Sequence, residues 1–297
     1  MSELLRLIGL RKSFGGVEVL HGVDFEVRAG EVHALVGENG AGKSTLMKIA
    51  SGVYQADTGQ VLFEEKQGTF HNPHEALAAG IAMVHQELSL APDLTVAQNL
   101  MAGREPTTFG LINWKELNRQ AAALMAEFEL KIHPATPTSE LGMGNRQVVE
   151  ILKALAQNPR LIIFDEPTSS LEAHETSLVL GTIKRLAERG LGVVYISHRL
   201  DEVFQVADCI TVLRDGNLVA TRPTAETSRP EVINLMVGRE LTALFPPKAE
   251  EIGEELLQVK GLGKAGVFAD ISFNLHRGEV LGFSGLVGSG RTELMLA

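Results

Sequence analysis

The chain has 297 residues, a formal net charge of −10, 44% hydrophobic and 22% charged residues; this is ordinary globular composition, which excludes a disordered chain, and the acidic balance argues against a general nucleic-acid binder, whose surface is basic. The single cysteine, Cys209, excludes a disulfide framework and reads as a small buried hydrophobe in a reducing compartment. No run of 18 apolar residues reads as a bilayer span, and the start Met1-Ser2-Glu3-Leu4-Leu5-Arg6 does not read as a signal peptide, so a chain made in the cytosol and remaining there is expected.

In chain order, residues 4–8 and 17–27 read as short strands, Gly30-Glu31 as a turn, and His33-Ala34-Leu35-Val36 as an apolar strand. That strand runs into Gly37-Glu38-Asn39-Gly40-Ala41-Gly42-Lys43-Ser44-Thr45, after which Leu46, Ile49 and Ala50 recur at helical spacing. The loop satisfies the P-loop pattern G-x-x-x-x-G-K-[ST] between a strand and a helix. Glycines let backbone N–H groups converge on anionic oxygens, and the helix N-terminus adds positive potential. Lys43 can set a charge between β- and γ-phosphates, Ser44 can ligate Mg2+, and the Thr45 hydroxyl suits the α-phosphate.

Ile81-Ala82-Met83-Val84-His85 reads as the next strand. From 93 to 157 the pattern turns helical, with one stripe of Leu117, Ala121, Leu124, Met125 and Phe128 and another of Val148, Val149, Ile151, Leu152 and Leu155. Leu161-Ile162-Ile163-Phe164 and Val193-Val194-Tyr195-Ile196 are continuous apolar runs, as in parallel strands buried on both faces. The first delivers Asp165 and Glu166 at its C-terminal end, where α/β sheets bind ligands; the two carboxylates point to opposite sides. Asp165 is the candidate metal ligand and Glu166 the candidate general base. His198 closes the second run and can hydrogen-bond the γ-phosphate or the attacking water. Ile210 to Ala220, around Asp215-Gly216-Asn217, reads as a hairpin.

Phe245-Pro246-Pro247 and the acidic Glu250-Glu251 and Glu254-Glu255 read as a linker over 246–255. Beyond it the chain starts again: His21-to-Met47 and Ala269-to-Met295 align at an offset of 248, with Gly30-Glu31-Val32 on Gly278-Glu279-Val280, Gly37 on Gly285 and Gly42 on Gly290. This is an internal repeat with the period of a whole domain. Its second copy stops at Ala297, about two helical turns in, so a parent longer by roughly 200 residues is expected.

Together these residues resemble the nucleotide-binding subunits of ABC transporters. The resemblance implies an α/β fold, a P-loop NTPase of ABC ATPase type with a helical subdomain (about 88–160) and an antiparallel β subdomain. It covers 1–245 as one domain and 256–297 as the start of a second. It implies that Gln86, in Met83-Val84-His85-Gln86, touches Mg2+ and senses the membrane partner; that Phe14 stacks on adenine; that Leu141-Gly142-Met143-Gly144-Asn145 is the signature; that Ser169-Ser170-Leu171-Glu172 is the D-loop; and that His198 is the switch histidine. The fused twin domains look like the ATPases of bacterial monosaccharide importers of the ribose, galactose, arabinose and xylose type. The resemblance implies ATP and Mg2+ as cofactors and membrane permease subunits as partners. It further implies a periplasmic sugar-binding protein as an indirect partner, a peripheral place on the cytoplasmic face of the inner membrane, and no nucleic acid.

Two departures bear on mechanism. The signature has Gly142 where serine is usual, which removes a hydrogen bond to a charged group worth roughly 1.5–3 kcal/mol; Asn145 is expected to remain as helix N-cap. Arg291 replaces the lysine of the second P-loop, Gly285-Leu286-Val287-Gly288-Ser289-Gly290-Arg291-Thr292, and its planar fork does not substitute for a point charge. The resemblance implies that both belong to one composite site between the two domains, so the Lys43 site is expected to hydrolyse and the Arg291 site to be weak. The signature expected to complete the Lys43 site is not in this chain, so the chain alone is expected to bind Mg-ATP and turn it over slowly. Exposed strand edges in 256–297 are an aggregation risk. A soluble ABC ATPase without a membrane partner and a nucleotide-binding fragment without transport activity are the alternatives; the missing basic surplus and the degenerate second P-loop favour the importer.

Overall fold

A computed structural model describes residues 2–85, 88–238, 252–285 and 289–297. The chain divides into two compact units, Met1–Glu240 and Leu241–Ala297. The first opens with β1 (Glu3–Phe14), β2 (Val17–Arg28), β3 (Val32–Val36), α1 (Lys43–Ala50), β4 (Thr58–Phe63), β5 (Lys66–Gln67), α2 (Pro73–Ala79) and β6 (Ile81–Val84). The insert follows as α3 (Val96–Met101), the short ribbon β7 (Thr107–Thr108) and β8 (Leu111–Ile112), α4 (Trp114–Glu127) and α5 (Met143–Leu155). The unit then runs β9 (Leu161–Asp165), α6 (Ala173–Glu188), β10 (Gly192–Ile196), α7 (Leu200–Val206), β11 (Cys209–Arg214), β12 (Asn217–Pro223) and α8 (Arg229–Val237).

Two sheets form. One is antiparallel, in the order β2-β1-β4-β5; the other has the order β12-β11-β3-β10-β9-β6, parallel except for its β12 edge. Alternation along the buried strands splits the core. Val32, Ala34, Val36, Ile162, Phe164, Val193 and Tyr195 pack toward the helices. Leu35, Leu161, Ile163, Val194 and Ile196 pack on α1 and on the antiparallel sheet through Leu5, Leu7, Phe25 and Val27. Strand β1 runs past the expected residues 4–8 because its pairing with β2 shifts register between Leu7 and Leu10, which breaks the period-2 pattern a sequence reading depends on. The stripe Leu117, Ala121, Met125 and Phe128 is buried as its spacing implies. The insert is not wholly helical, since β7 and β8 pair around Phe109-Gly110.

The second unit carries the antiparallel pair β13 (Glu255–Lys264) and β14 (Phe268–His276) and the short helix α9 (Arg291–Met295). It repeats the first unit's opening: α9 starts at Arg291 behind Gly290 (φ 81°), as α1 starts at Lys43 behind Gly42 (φ 99°). Residues 280–284, aligned with β3, form no strand. Strand β3 is held between β10 and β11, and the described residues of Leu241–Ala297 offer no such neighbours.

Candidate nucleotide-binding site

Three parallel strands deliver their C-terminal ends to one place: β3 to Gly37, β9 to Asp165 and Glu166, and β10 to Ser197 and His198, with β10 between the other two. A cleft of about 420 Å3 opens there, lined by Val19, Asn39, Gly42, Lys43, Thr45 and Glu166, with Gly40 and Ser44 completing it. The loop shape requires its glycines at two points. At Gly37 (φ 156°) a Cβ would stand 2.1 Å from the Leu213 carbonyl oxygen; at Gly42 (φ 99°) it would stand 2.8 Å from Leu20 Cδ2.

Lys43 is buried and curls back so that Nζ donates to the Gly37 and Glu38 carbonyls, both at 2.9 Å. Burial lowers its ammonium below the usual lysine range, and the charges of Glu166 and then Asp165 pull it partly back. Ser44 Oγ donates to Asp165 Oδ1 at 3.0 Å. Burial raises the Asp165 carboxyl, against the Ser44 hydrogen bond and the Lys48 charge. A hard dication between a hydroxyl and a carboxylate needs such an oxygen pair, and a polyphosphate needs a desolvated ammonium at the mouth of a glycine loop. The residues present therefore fit Mg2+ and a nucleotide phosphate chain.

Both buried charges weaken the fold when nothing neutralises them. A carboxyl raised above its unfolded value contributes stability below the unfolded value and loses it as pH rises through the folded one. At pH 7 the ionised Asp165 is thus a cost. Asp165→Asn is expected to raise the nucleotide-free Tm at pH 7, with the difference shrinking toward pH 4 and below, near the ordinary aspartate value; scanning calorimetry across that range checks it. A Tm lower than that of the parent at pH 7 overturns the reading.

Glu166 sits in the left-handed region (φ 51°), a conformation that costs a non-glycine residue roughly 1 kcal/mol. Its N–H donates to the Ile196 carbonyl (3.0 Å), and its Oε1 lies 3.1 Å from His198 Nδ1. The strained turn aims the carboxylate across the sheet at the histidine. A carboxylate paired with an imidazole at the edge of a phosphate cleft can accept a proton from water.

Phe14 does not line the cleft. Its half-exposed ring meets Tyr54 edge-on at 5.2 Å, with Lys12 Nζ 5.3 Å from its centroid. Gln86 lies outside the described residues, as do Leu286 to Gly288 of the second P-loop and most of the 246–255 linker. Asn145 is not the cap of its helix: α5 begins at Met143, with Gly142 at the N-cap position and no side chain capping it. Instead Glu175 of α6 accepts from Gly144 N–H (2.8 Å) and Glu172 N–H (3.2 Å), and these two bonds hold its carboxyl below the usual range.

One cluster escaped sequence reasoning. Glu202, on the first turn of α7 and 5% exposed, accepts from Thr168 Oγ1 (2.5 Å) and Tyr195 Oη (2.7 Å) on Oε2 and from Arg199 Nη1 (2.6 Å) on Oε1. Arg199 also donates to the Thr168 carbonyl at 3.3 Å. Burial, with the Glu202 hydrogen bond, raises the Tyr195 phenol, so it stays a neutral donor. The cluster ties the loop after β9, which carries Glu166, to the loop after β10, which carries His198. The available signal was a tyrosine in a fully apolar strand, since a buried phenol requires a partner.

The profile of the ABC transporter family matches residues 20–169. The ribose import ATP-binding protein RbsA 2 of Rubrobacter xylanophilus is 49% identical over 98% of this chain and 56% of its own length. A putative ribose/galactose/methyl galactoside import ATP-binding protein of Burkholderia lata is 47% identical, over 98% of this chain and 55% of its own. The chain thus spans a little over half the length of these relatives. Among solved structures, an ATP-binding cassette of an ABC transporter in its ADP conformation superposes with TM-score 0.71 at 28% identity, over 80% of this chain and all of the other. A nucleotide-free cassette gives 0.68 at 29%. With the P-loop, the carboxylate pair and the β10 histidine gathered at one sheet edge, the chain belongs to the ABC transporter family and carries its ATP-binding cassette fold.

Proposed function

We propose that this chain is the ATP-binding and hydrolysing part of an importer that brings a monosaccharide through a separate membrane permease. In this reading 1–245 is one complete cassette, 246–255 a linker and 256–297 the opening of a second. The observation that carries it is the convergence of Lys43, the Ser44–Asp165 pair and the Glu166–His198 pair on one cleft; the printed names of the relatives support the sugar-import role.

Lys43 moves from the Gly37 and Glu38 carbonyls onto the β- and γ-phosphates, while the amides of Glu38 to Thr45 surround the phosphate chain. Ser44 and Asp165, with Gln86, are the residues that would hold Mg2+, whose charge neutralises the phosphate oxygens when bound. Glu166 takes the proton of the attacking water; His198 holds Glu166 in place and donates toward the γ-phosphate. The Phe14 ring, already half-exposed beside Tyr54, is the face offered to adenine. A groove of about 220 Å3 lined by Met83, His85, Ser89, Glu150 and Lys153 among others is the surface this reading offers to the permease. In the same reading the chain is a peripheral protein on the cytoplasmic face of the inner membrane; among the described residues no helix is long and apolar enough to cross a membrane. The Arg291 site, whose P-loop lacks the lysine, is the weaker of the two.

Titration calorimetry with Mg-ATP tests the reading. Lys43→Ala removes a charge-assisted contact worth roughly 1.5–3 kcal/mol, so the Kd is expected to rise about 10- to 150-fold. No heat at millimolar Mg-ATP, or a variant that binds as the parent does, overturns it.

A further inference from the structure

We propose that Glu31, His33 and Cys209 form a site for a borderline-soft divalent transition metal such as Zn2+, at the end of β3 remote from the P-loop. Strands β3 and β11 are parallel neighbours, and His33 is the register partner of Cys209. Glu31 lies just before β3, and its Oε1 stands 2.9 Å from His33 Nδ1. The carboxylate oxygen, ring nitrogen and sulfur come within 4.8 Å of one another.

The histidine is the observation that points to a ligand. Its side chain is 2% exposed and packs edge-on against Phe25 at 4.7 Å. Nε2 lies 2.7 Å from Thr211 Oγ1, which in turn meets Thr221 Oγ1 at 2.8 Å. Among the described residues the other nitrogen, Nδ1, is buried with no well-aligned hydrogen-bond partner, and Glu31 Oε1 stands 2.9 Å from it. A proton on Nε2 shared with Thr211 leaves Nδ1 with a free lone pair, the arrangement by which an outer hydrogen bond sets the tautomer of a metal-ligating histidine.

The neighbouring groups leave the donors free. Glu31 Oε2 accepts from Arg28 N–H (3.1 Å), which leaves Oε1 toward the cluster. Asp208 is occupied by Val32 N–H (2.8 Å). One carboxylate and one thiolate cancel a 2+ charge, so the filled site buries no net charge. A thiol gives up its proton when it binds such a metal, so coordination at Cys209 releases one proton to solvent. A nitrogen, sulfur and oxygen set selects Zn2+ or Co2+ over Mg2+, and three protein ligands leave a fourth position for water. Glu31 and Cys209 are half-buried, which gives the ion a way in. Strand β3, about 13 Å long at 3.3 Å per residue, separates this site from the nucleotide cleft, so it stands or falls independently of the proposed ATPase.

The sequence contains a single cysteine, so any thiolate-to-cobalt charge-transfer band reports Cys209. The full chain, nucleotide-free and under reducing, oxygen-free conditions, is titrated with Co2+. The expected result is a near-ultraviolet charge-transfer band, with the intense visible bands of tetrahedral cobalt, saturating at one equivalent and displaced by Zn2+. Cys209→Ser is expected to abolish the ultraviolet band, and Glu31→Gln to weaken binding at least tenfold; Zn2+ is expected to raise the Tm of the parent but of neither variant. Absence of the band at one equivalent, Co2+ binding unchanged in Cys209→Ser, or unchanged affinity in Glu31→Gln overturns the proposal. Melting of both metal-free variants near the parent's Tm separates loss of the site from loss of the fold.

Discussion

Glu166→Gln is expected to lower ATP turnover by roughly 10²- to 10⁴-fold, the range for losing a general base, while Mg-ATP still binds. Glutamine keeps the shape and an acceptor oxygen but cannot take up a proton at neutral pH. The binding half of the expectation rests on position. Glu166 enters the cleft from the β9 turn and faces His198 at 3.1 Å, whereas the phosphate-holding groups lie on the loop after β3. Removing its charge also relieves the cleft of an anion near the phosphates, so binding is expected to hold or tighten. Single-turnover hydrolysis with protein in excess, beside calorimetric binding of Mg-ATP, separates the two. Turnover within threefold of the parent would take the proton-accepting role away from Glu166; loss of binding would make Glu166 a ligand-holding residue instead.

The same residues mark where a sequence can be read and where it cannot. The P-loop is contiguous, and each of its parts has a local cause: an apolar strand, glycines, then a helical period. Asp165, Glu166 and His198 were legible for the same reason, as polar residues closing apolar runs. What was not legible depends on residues distant in the chain. Asn145 looked like a cap from its residue type, but Gly144 N–H is served by Glu175, 31 positions later. Phe14 ends a ribbon whose course is set by register shifts, and the edge-on contact of its ring with Tyr54 follows from that course. His33 and Cys209, 176 positions apart, meet only because β11 pairs with β3, and the same pairing brings Thr211 to His33 across 178 positions. Cys209, expected as a small buried hydrophobe, is only half-buried, since it opens β11 at the sheet's end.

Glu202→Ala is expected to destabilise the first unit by about 3–4 kcal/mol. The loss leaves two buried hydroxyl donors, Thr168 Oγ1 and Tyr195 Oη, without their acceptor, at about 1–3 kcal/mol each. They lie 3.4 Å apart, so they satisfy each other only in part. Arg199 adds little, because its side chain is 44% exposed and can turn to water. At about 2–4 °C per kcal/mol for a unit of this size, the Tm is expected to fall by roughly 6–16 °C. Glu202→Gln keeps an acceptor at Oε1 and is expected to cost less than half as much, whereas Tyr195→Phe removes a donor and its need together. In the double variant Tyr195→Phe with Glu202→Ala, the cost is expected to fall short of the sum, because the two residues share one hydrogen bond. A thermal melt of the four variants decides it: additive losses, or a Glu202→Ala shift under 2 °C, would mean that the buried carboxylate is not what joins the two loops. If it is, the alignment of Glu166 with His198 loosens in Glu202→Gln, and the pH profile of hydrolysis shifts in a protein that remains folded.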